Sequence, residues 1–179
     1  MIETQRLRLV PCGLRHFEAI LTDQGRLEQL LGVTVLDSWF DFPGVASVET
    51  MRSLRDHLKA NPDVLGWWTH LFVHVEDKVL IGMGGYKGRA DEAGMVEIGY
   101  AIVPAYRGRG LATEAARGLI DNAFAHAYVK MVDAHTLAEP NPSTRVLQKV
   151  GMRFKGAVGD PEQGEVWHWS VHRAEYRPG

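Results

Sequence analysis

Apolar and polar residues alternate at the start of the chain, where Leu7 and Leu9 are separated by Arg8, flanked by Arg6 and stopped by Pro11. A two-residue period places alternate side chains on opposite faces, so this predicts a short opening strand. The period then becomes helical. Phe17, Ile20, Leu21, Leu27, Leu30 and Leu31 form a stripe between Leu14 and Leu31, predicting one or two helices broken near Asp23 to Gly25. Leu36 to Gly44 is aromatic and irregular. Val45, Val48, Met51, Leu54 and Leu58 predict a further helix, closed by Asn61-Pro62. Trp68 to His74 and Val79 to Tyr86 read as a hairpin turning at Glu76 to Lys78, in which glycines 82, 84 and 85 mark bulges or close backbone approach.

The stretch Val96 to Thr113 changes period in its middle. Val96, Ile98, Tyr100 and Ile102 alternate with Glu97, Gly99, Ala101 and Val103 as a strand that Pro104 ends. Arg107, Gly108, Arg109 and Gly110 make a basic turn, and from Leu111 to about Ala127 the apolar positions fall at helical spacing. Met131 to Thr136 reads as a strand. Asn141-Pro142-Ser143 has the form of a helix start, with Asn as cap and Pro at the first helical position, and Gly151 is the stop. Met152, Phe154 and Val158, then Glu165 to Val171, predict a last antiparallel pair joined by the glycine-rich Gly156 to Gly164.

A length of 179 residues suits one domain over 1–179 with a sizeable core. With 45% hydrophobic and 23% charged residues and a formal net charge of −2, the composition is that of an ordinary soluble protein and gives no reason to expect nucleic acid as a partner. The single cysteine, Cys12, excludes an internal disulfide and suits a reducing cytoplasm. No apolar run has the length of a membrane span, so no membrane partner is expected. His70 and His74 share a strand face about 13 Å apart, too far for one ion, so no metal site is expected. His168 and His172 repeat that spacing, while His126 and His135 have no evident partner.

The strand, basic glycine turn and helix are suited to a pyrophosphate. A helix start leaves backbone N–H groups unpaired and carries partial positive charge, and glycines let a phosphate approach closely. Arg107 and Arg109 add charge, and Thr113 a hydroxyl. The dinucleotide fingerprint fits poorly, because its third glycine is Thr113 and its acid, Asp133, falls at the start of the next strand. The P-loop run is absent.

Arg107-x-x-Gly110-x-Ala112 does resemble the (Gln/Arg)-x-x-Gly-x-(Gly/Ala) motif of the GCN5-related N-acetyltransferases (GNAT), where this turn holds the pyrophosphate of acetyl-CoA. The surrounding V-E-I-G-Y-A-I-V-P, N-P-S-T-R-V-L-Q-K-V-G-M and opening E-T-Q-R-L-R-L look like the branch that acetylates ribosomal-protein N-termini and assorted small amines. The resemblance implies an α/β (α+β) fold, a mixed, mostly antiparallel sheet of about seven strands with helices on both faces. It implies acetyl-CoA as co-substrate, bound by the turn from Arg107 through Gly108, Arg109, Gly110, Leu111 and Ala112 to Thr113. It also implies pairing of the pantetheine arm with the backbone of Ala101, Ile102 and Val103, and a contact from Asn141, which as residue type is equally a helix cap.

Acetyl transfer needs a neutral amine, yet an amine of pKa near ~8 to ~10.4 is mostly protonated at neutral pH. Glu97 is the candidate base, on a strand face shared with the small Gly99 and Ala101. The oxyanion donor is expected to be a backbone N–H near Ile98 to Ala101, beside a bulge that splays two strands. Many relatives carry a tyrosine where this chain has Gln148, which cannot donate as an acid, so Ser143 becomes the candidate donor of the thiolate's proton, with water as the alternative. The aromatics Trp39, Phe40, Phe42, Trp67 and Trp68 either wall an acceptor pocket or anchor helices to the sheet. The expected reaction is direct acetyl transfer, in a ternary complex, to a primary amine of a small molecule or a protein N-terminus, by a monomer or homodimer. A non-catalytic acyl-CoA sensor that does not need Glu97 is one rival, and a nucleotide-dependent oxidoreductase another.

Overall fold

The computed structural model describes residues 1–39, 47–161 and 164–178. Phe40, Phe42 and Val45 lie outside the described residues. The opening strand forms as β2 (Leu7–Pro11), preceded by a two-residue strand β1 (Ile2–Glu3). Two helices follow, α1 (Leu14–Thr22) and α2 (Gln24–Leu31), and Asp23 is the break because its side chain accepts from the Arg26 N–H and so starts the second helix. A short β3 (Thr34–Val35) leads on, and α3 (Val48–Ala60) starts at Ser47, whose hydroxyl accepts from the Thr50 N–H at 3.1 Å.

β4 (Thr69–His74) and β5 (Val79–Tyr86) form the predicted hairpin. The register slips at Phe72/Val73, so that Ile81 is the bulged residue. A Cβ on Gly82 or Gly84 would lie 2.2 Å or 2.3 Å from a carbonyl oxygen of the neighbouring strand, so both glycines are required by close backbone approach. That neighbour is β6 (Met95–Ile102), followed by α4 (Leu111–Ala125), β7 (Met131–Leu137), α5 (Pro142–Lys149), β8 (Arg153–Asp160) and β9 (Gly164–His172). The glycine-rich linker expected over Gly156 to Gly164 is therefore mostly strand. Pairing with Trp167 and His168 supplies the ladder there, and a register shift beside Gly156 absorbs the extra residue.

Among the described residues the sheet has nine strands in the order β1-β2-β4-β5-β6-β7-β9-β8, with β3 parallel to β5 at the end β6 does not reach. All other neighbours are antiparallel except β6 and β7. It is the mixed, mostly antiparallel sheet that the resemblance implies, with seven longer strands and two short additions. α3 covers the face that carries Met83 and Gly85, while Tyr86 on the other face donates to the Leu119 carbonyl of α4 at 2.7 Å. The fully buried Phe17, Leu71, Phe72, Ile98 and Leu119 belong to one continuous core. Trp39 and Trp67 are buried in it, and Trp68 donates to the Leu54 carbonyl at 3.2 Å and stacks on His57, fixing α3 to the sheet. For these three the anchoring role prevails.

Candidate active site

The central opening in the sheet is built by β6 and β7. They pair in parallel only at Met95↔Met131, Val96↔Val132 and Glu97↔Asp133, and beyond Glu97 the ladder stops. On its other side β6 stays paired with β5 from Ile98 to Ile102 without a register shift. The Val103 N–H donates to the Ile81 carbonyl at 2.8 Å and the Lys87 N–H to the Glu97 carbonyl at 3.0 Å. Backbone groups of an antiparallel pair alternate in direction, so the odd-numbered residues are turned to β5 and Tyr100 and Ile102 turn their N–H groups into the gap. Within the stretch Ala101 to Val103, Ile102 is therefore the residue whose amide faces the gap, because the amide of Val103 is spent on Ile81. The carbonyl of Ile102 accepts from Arg107 Nε at 2.8 Å.

The gap opens towards the start of α4. Gly110 is the N-cap with φ 79°, and Gly108 has φ 74°, both in the left-handed region that glycine adopts without steric cost. The Glu114 N–H begins the intrahelical ladder on the Gly110 carbonyl at 3.0 Å, which leaves the N–H groups of Leu111, Ala112 and Thr113 pointing out of the helix end. The side chain of Leu111 is buried in the core, so its amide is the group it offers here. Thr113 lines a cleft of ≈ 820 Å³ between α4 and residues 2–5. Arg109 donates to the Ala105 carbonyl at 3.0 Å and lies over the Tyr106 ring.

Arg6 is a third cation at this turn, and spacing gave no sign of it because it comes from the bend just ahead of β2. Its Nη1 donates to the Arg109 carbonyl at 3.0 Å, and its Nε pairs with Glu114 Oε2 at 2.7 Å. Thr4 Oγ1 and the Arg6 N–H donate to the other oxygen of Glu114 at 2.7 Å and 2.6 Å. Burial pushes the Glu114 carboxyl up, but these bonds and the guanidinium charge outweigh it and hold the group below the ordinary carboxylate value.

Glu97 stands at the last rung before the gap. Its Oε1 contacts Lys87 Nζ and lies 3.0 Å from His135 Nδ1. The His135 ring stacks on that of His168, with centroids 5.1 Å apart, and His168 Nε2 lies 2.7 Å from Asp133 Oδ2. Sequence reading left His135 without a partner. The signal was the register: His135 pairs with His168 across β7 and β9, on the face that also carries Asp133, the parallel partner of Glu97. Above Gly99, on the same face, a cavity of ≈ 230 Å³ is lined by Thr50 and Leu54 of α3, Thr69, Met83 and Lys87.

Across the gap, Asn141 caps α5. Its Oδ1 accepts from the Thr144 N–H at 3.1 Å and its Nδ2 donates to the Glu139 carbonyl at 2.9 Å. Ser143, in the first turn, receives the Tyr100 hydroxyl on its carbonyl at 3.3 Å. Burial raises the Tyr100 phenol well above its ordinary value.

A sheet opened beside a glycine-rich helix start, with a carboxylate at the end of the opening, defines an acyl-CoA-dependent N-acetyltransferase. The acetyltransferase (GNAT) domain family matches residues 6–153, and the chain belongs to that family, which uses acetyl-CoA to acetylate amines. An uncharacterized N-acetyltransferase of Bacillus subtilis (strain 168), YjdG, is 27% identical over 169 residues, 94% of this chain and 96% of that protein. The fold is shared with a putative ribosomal-protein-serine acetyltransferase from Vibrio cholerae, at TM-score 0.69 and 19% identity, over 96% of each chain. It is shared too with RimL, a ribosomal L7/L12 alpha-N-protein acetyltransferase in complex with coenzyme A, at TM-score 0.66 and 16% identity, over 94% of this chain and 95% of that one. Among the described residues no helix is long and apolar enough to cross a membrane.

Proposed function

We propose that the protein transfers the acetyl group directly from acetyl-CoA to a primary amine in a ternary complex, with Glu97 as general base. The observation that carries this reading is the end of the β6–β7 ladder at Glu97, which brings the gap, the cavity above Gly99 and the carboxylate to one point. The N–H groups of Leu111, Ala112 and Thr113 take the pyrophosphate at the glycine turn, with Arg107 and Arg109 beside it and Arg6 closing the cradle. The pantetheine arm pairs with Tyr100 and Ile102 as an added strand, and one of these amides holds the thioester oxygen as its negative charge grows. Asn141, at the facing helix start, borders the arm on the other side.

The acceptor ammonium gives up two protons and the thiolate gains one. Glu97 takes the first and passes it to solvent, the neutral amine forms its bond to the acetyl carbon, and the nitrogen loses the second proton as the carbon–sulfur bond breaks. The thiolate is protonated from the α5 side, where Ser143 stands. Glu97→Gln keeps the shape and removes the base, so kcat falls by about a hundredfold or more while the Kd for acetyl-CoA, read by calorimetry, stays as in the parent. Unchanged turnover in this variant would remove Glu97 from the role.

A further inference from the structure

Among the described residues, the pocket that meets Glu97 has one lysine or arginine in its lining, and it points to the kind of amine the enzyme accepts. Lys87 follows β5 directly, and its main-chain N–H is fixed on the Glu97 carbonyl. Its side chain lies on the face of Gly99 and Ala101, lines the ≈ 230 Å³ cavity and places its ammonium on Glu97 Oε1. The remaining lining among the described residues is Thr50, Leu54, Thr69, Met83, Tyr86 and Tyr100 with glycine and alanine, apolar or neutral. Lys87 is therefore a cation standing where the nitrogen of the acceptor must arrive, and its side chain is 60% exposed, so it has room to withdraw.

From this we infer that Lys87 selects acceptors that carry a carboxylate next to the amine, the α-amino acids and their close analogues. The inference rests on Glu97 being the base. An acceptor with both groups engages both partners of the pair at once: its nitrogen takes the place of Lys87 on Glu97, and its carboxylate takes the place of Glu97 on Lys87. The charges then alternate, and none is left unpaired in a cavity walled by apolar groups. A diamine or polyamine puts its second ammonium against Lys87 instead, and like-charge repulsion of this kind is how a site rejects a wrong partner. The cavity volume suits a single amino acid better than a long chain.

The test compares alanine, alaninamide and spermidine as acceptors with the parent enzyme and with Lys87→Met and Lys87→Arg. Alanine and its amide differ only in the carboxylate. The parent enzyme is expected to prefer alanine, and Lys87→Met to lower the ratio of kcat/KM for alanine over alaninamide by about tenfold or more, the worth of one charge-assisted hydrogen bond. The change is carried by KM, and Lys87→Arg restores much of the ratio. Equal use of alanine and alaninamide by the parent enzyme, or a ratio that Lys87→Met leaves intact, overturns the selection by Lys87 and leaves amine acetylation standing. No transfer to any of the three by an enzyme that still binds acetyl-CoA overturns the inference, since the acceptor class it favours is then not used, and leaves a protein N-terminus as the amine of the proposed reaction.

Discussion

Single residues here often have a role set by one contact. His70 is buried in β4, with Nδ1 3.0 Å from the Trp68 carbonyl and its ring edge-on to Tyr86. Burial lowers its pKa to about 4, against the raising effect of the Trp68 hydrogen bond. Between that value and the ordinary ~6.5 the unfolded chain binds a proton that the folded protein does not, so stability falls as the pH falls through this window. The loss approaches about 3 kcal/mol at the acid end. Urea unfolding at pH 7 and pH 4.5 measures it, and a His70→Gln variant is expected to lose less stability between the two. None of this was legible in the sequence, where His70 was weighed as a metal ligand. Glu97 was legible because the alternation of β6 put it on the face of two small residues. Its partners Lys87 and His135 were not, because they arrive through the register of β6 with β5 on one side and β7 on the other.

At the scale of elements, helix starts are set by capping chemistry, of which the sequence reading found the Asn141 cap. Asp23, Ser47 and Asn141 each accept a hydrogen bond at the helix start they precede, and Asn141 is also the residue the family motif singles out. The strands β1 and β3 escaped detection because two residues are too few to show a period. The glycines of β8 misled for a different reason: glycine marks a turn only when nothing pairs with it, and here β9 does. Gly110 is the glycine whose substitution tells most about α4. A Cβ there meets nothing nearer than Arg6 Nη2 at 3.5 Å, so space is available and the obstacle is the left-handed backbone. Gly110→Val is expected to destabilise the protein by about 2 kcal/mol and to weaken acetyl-CoA binding at least tenfold, since relief of the strain rotates the amides that face the pyrophosphate. Thermal denaturation and calorimetry on the same sample separate the two effects, and an unchanged Kd would remove the turn from the binding site.

Over the whole molecule, the topology was recoverable from the motif, while the closure of the C-terminal half was not. Arg173, just after β9, donates through Nη1 to the Phe124 carbonyl at 2.6 Å and through Nη2 to the His126 and Val129 carbonyls at 2.6 Å and 2.7 Å. A single guanidinium thus satisfies the last carbonyls of α4, matches the negative end of its dipole and ties the helix to the end of the sheet. Arg173→Met is expected to cost about 2 kcal/mol, seen as a lower Tm with KM for acetyl-CoA unchanged. A drop in Tm of less than a degree would mean that water replaces the guanidinium there.

The gap between β6 and β7 has one more consequence. An unpaired strand edge ordinarily invites pairing with other polypeptides and is a seam for aggregation. In this protein the free edge is not at the rim of the sheet, because β7 still runs alongside and α4 and α5 flank the opening. Enclosure between two helices keeps the unpaired amides of β6 away from other chains, and under the acyl transfer proposed above they are left to a co-substrate that every turnover releases and replaces.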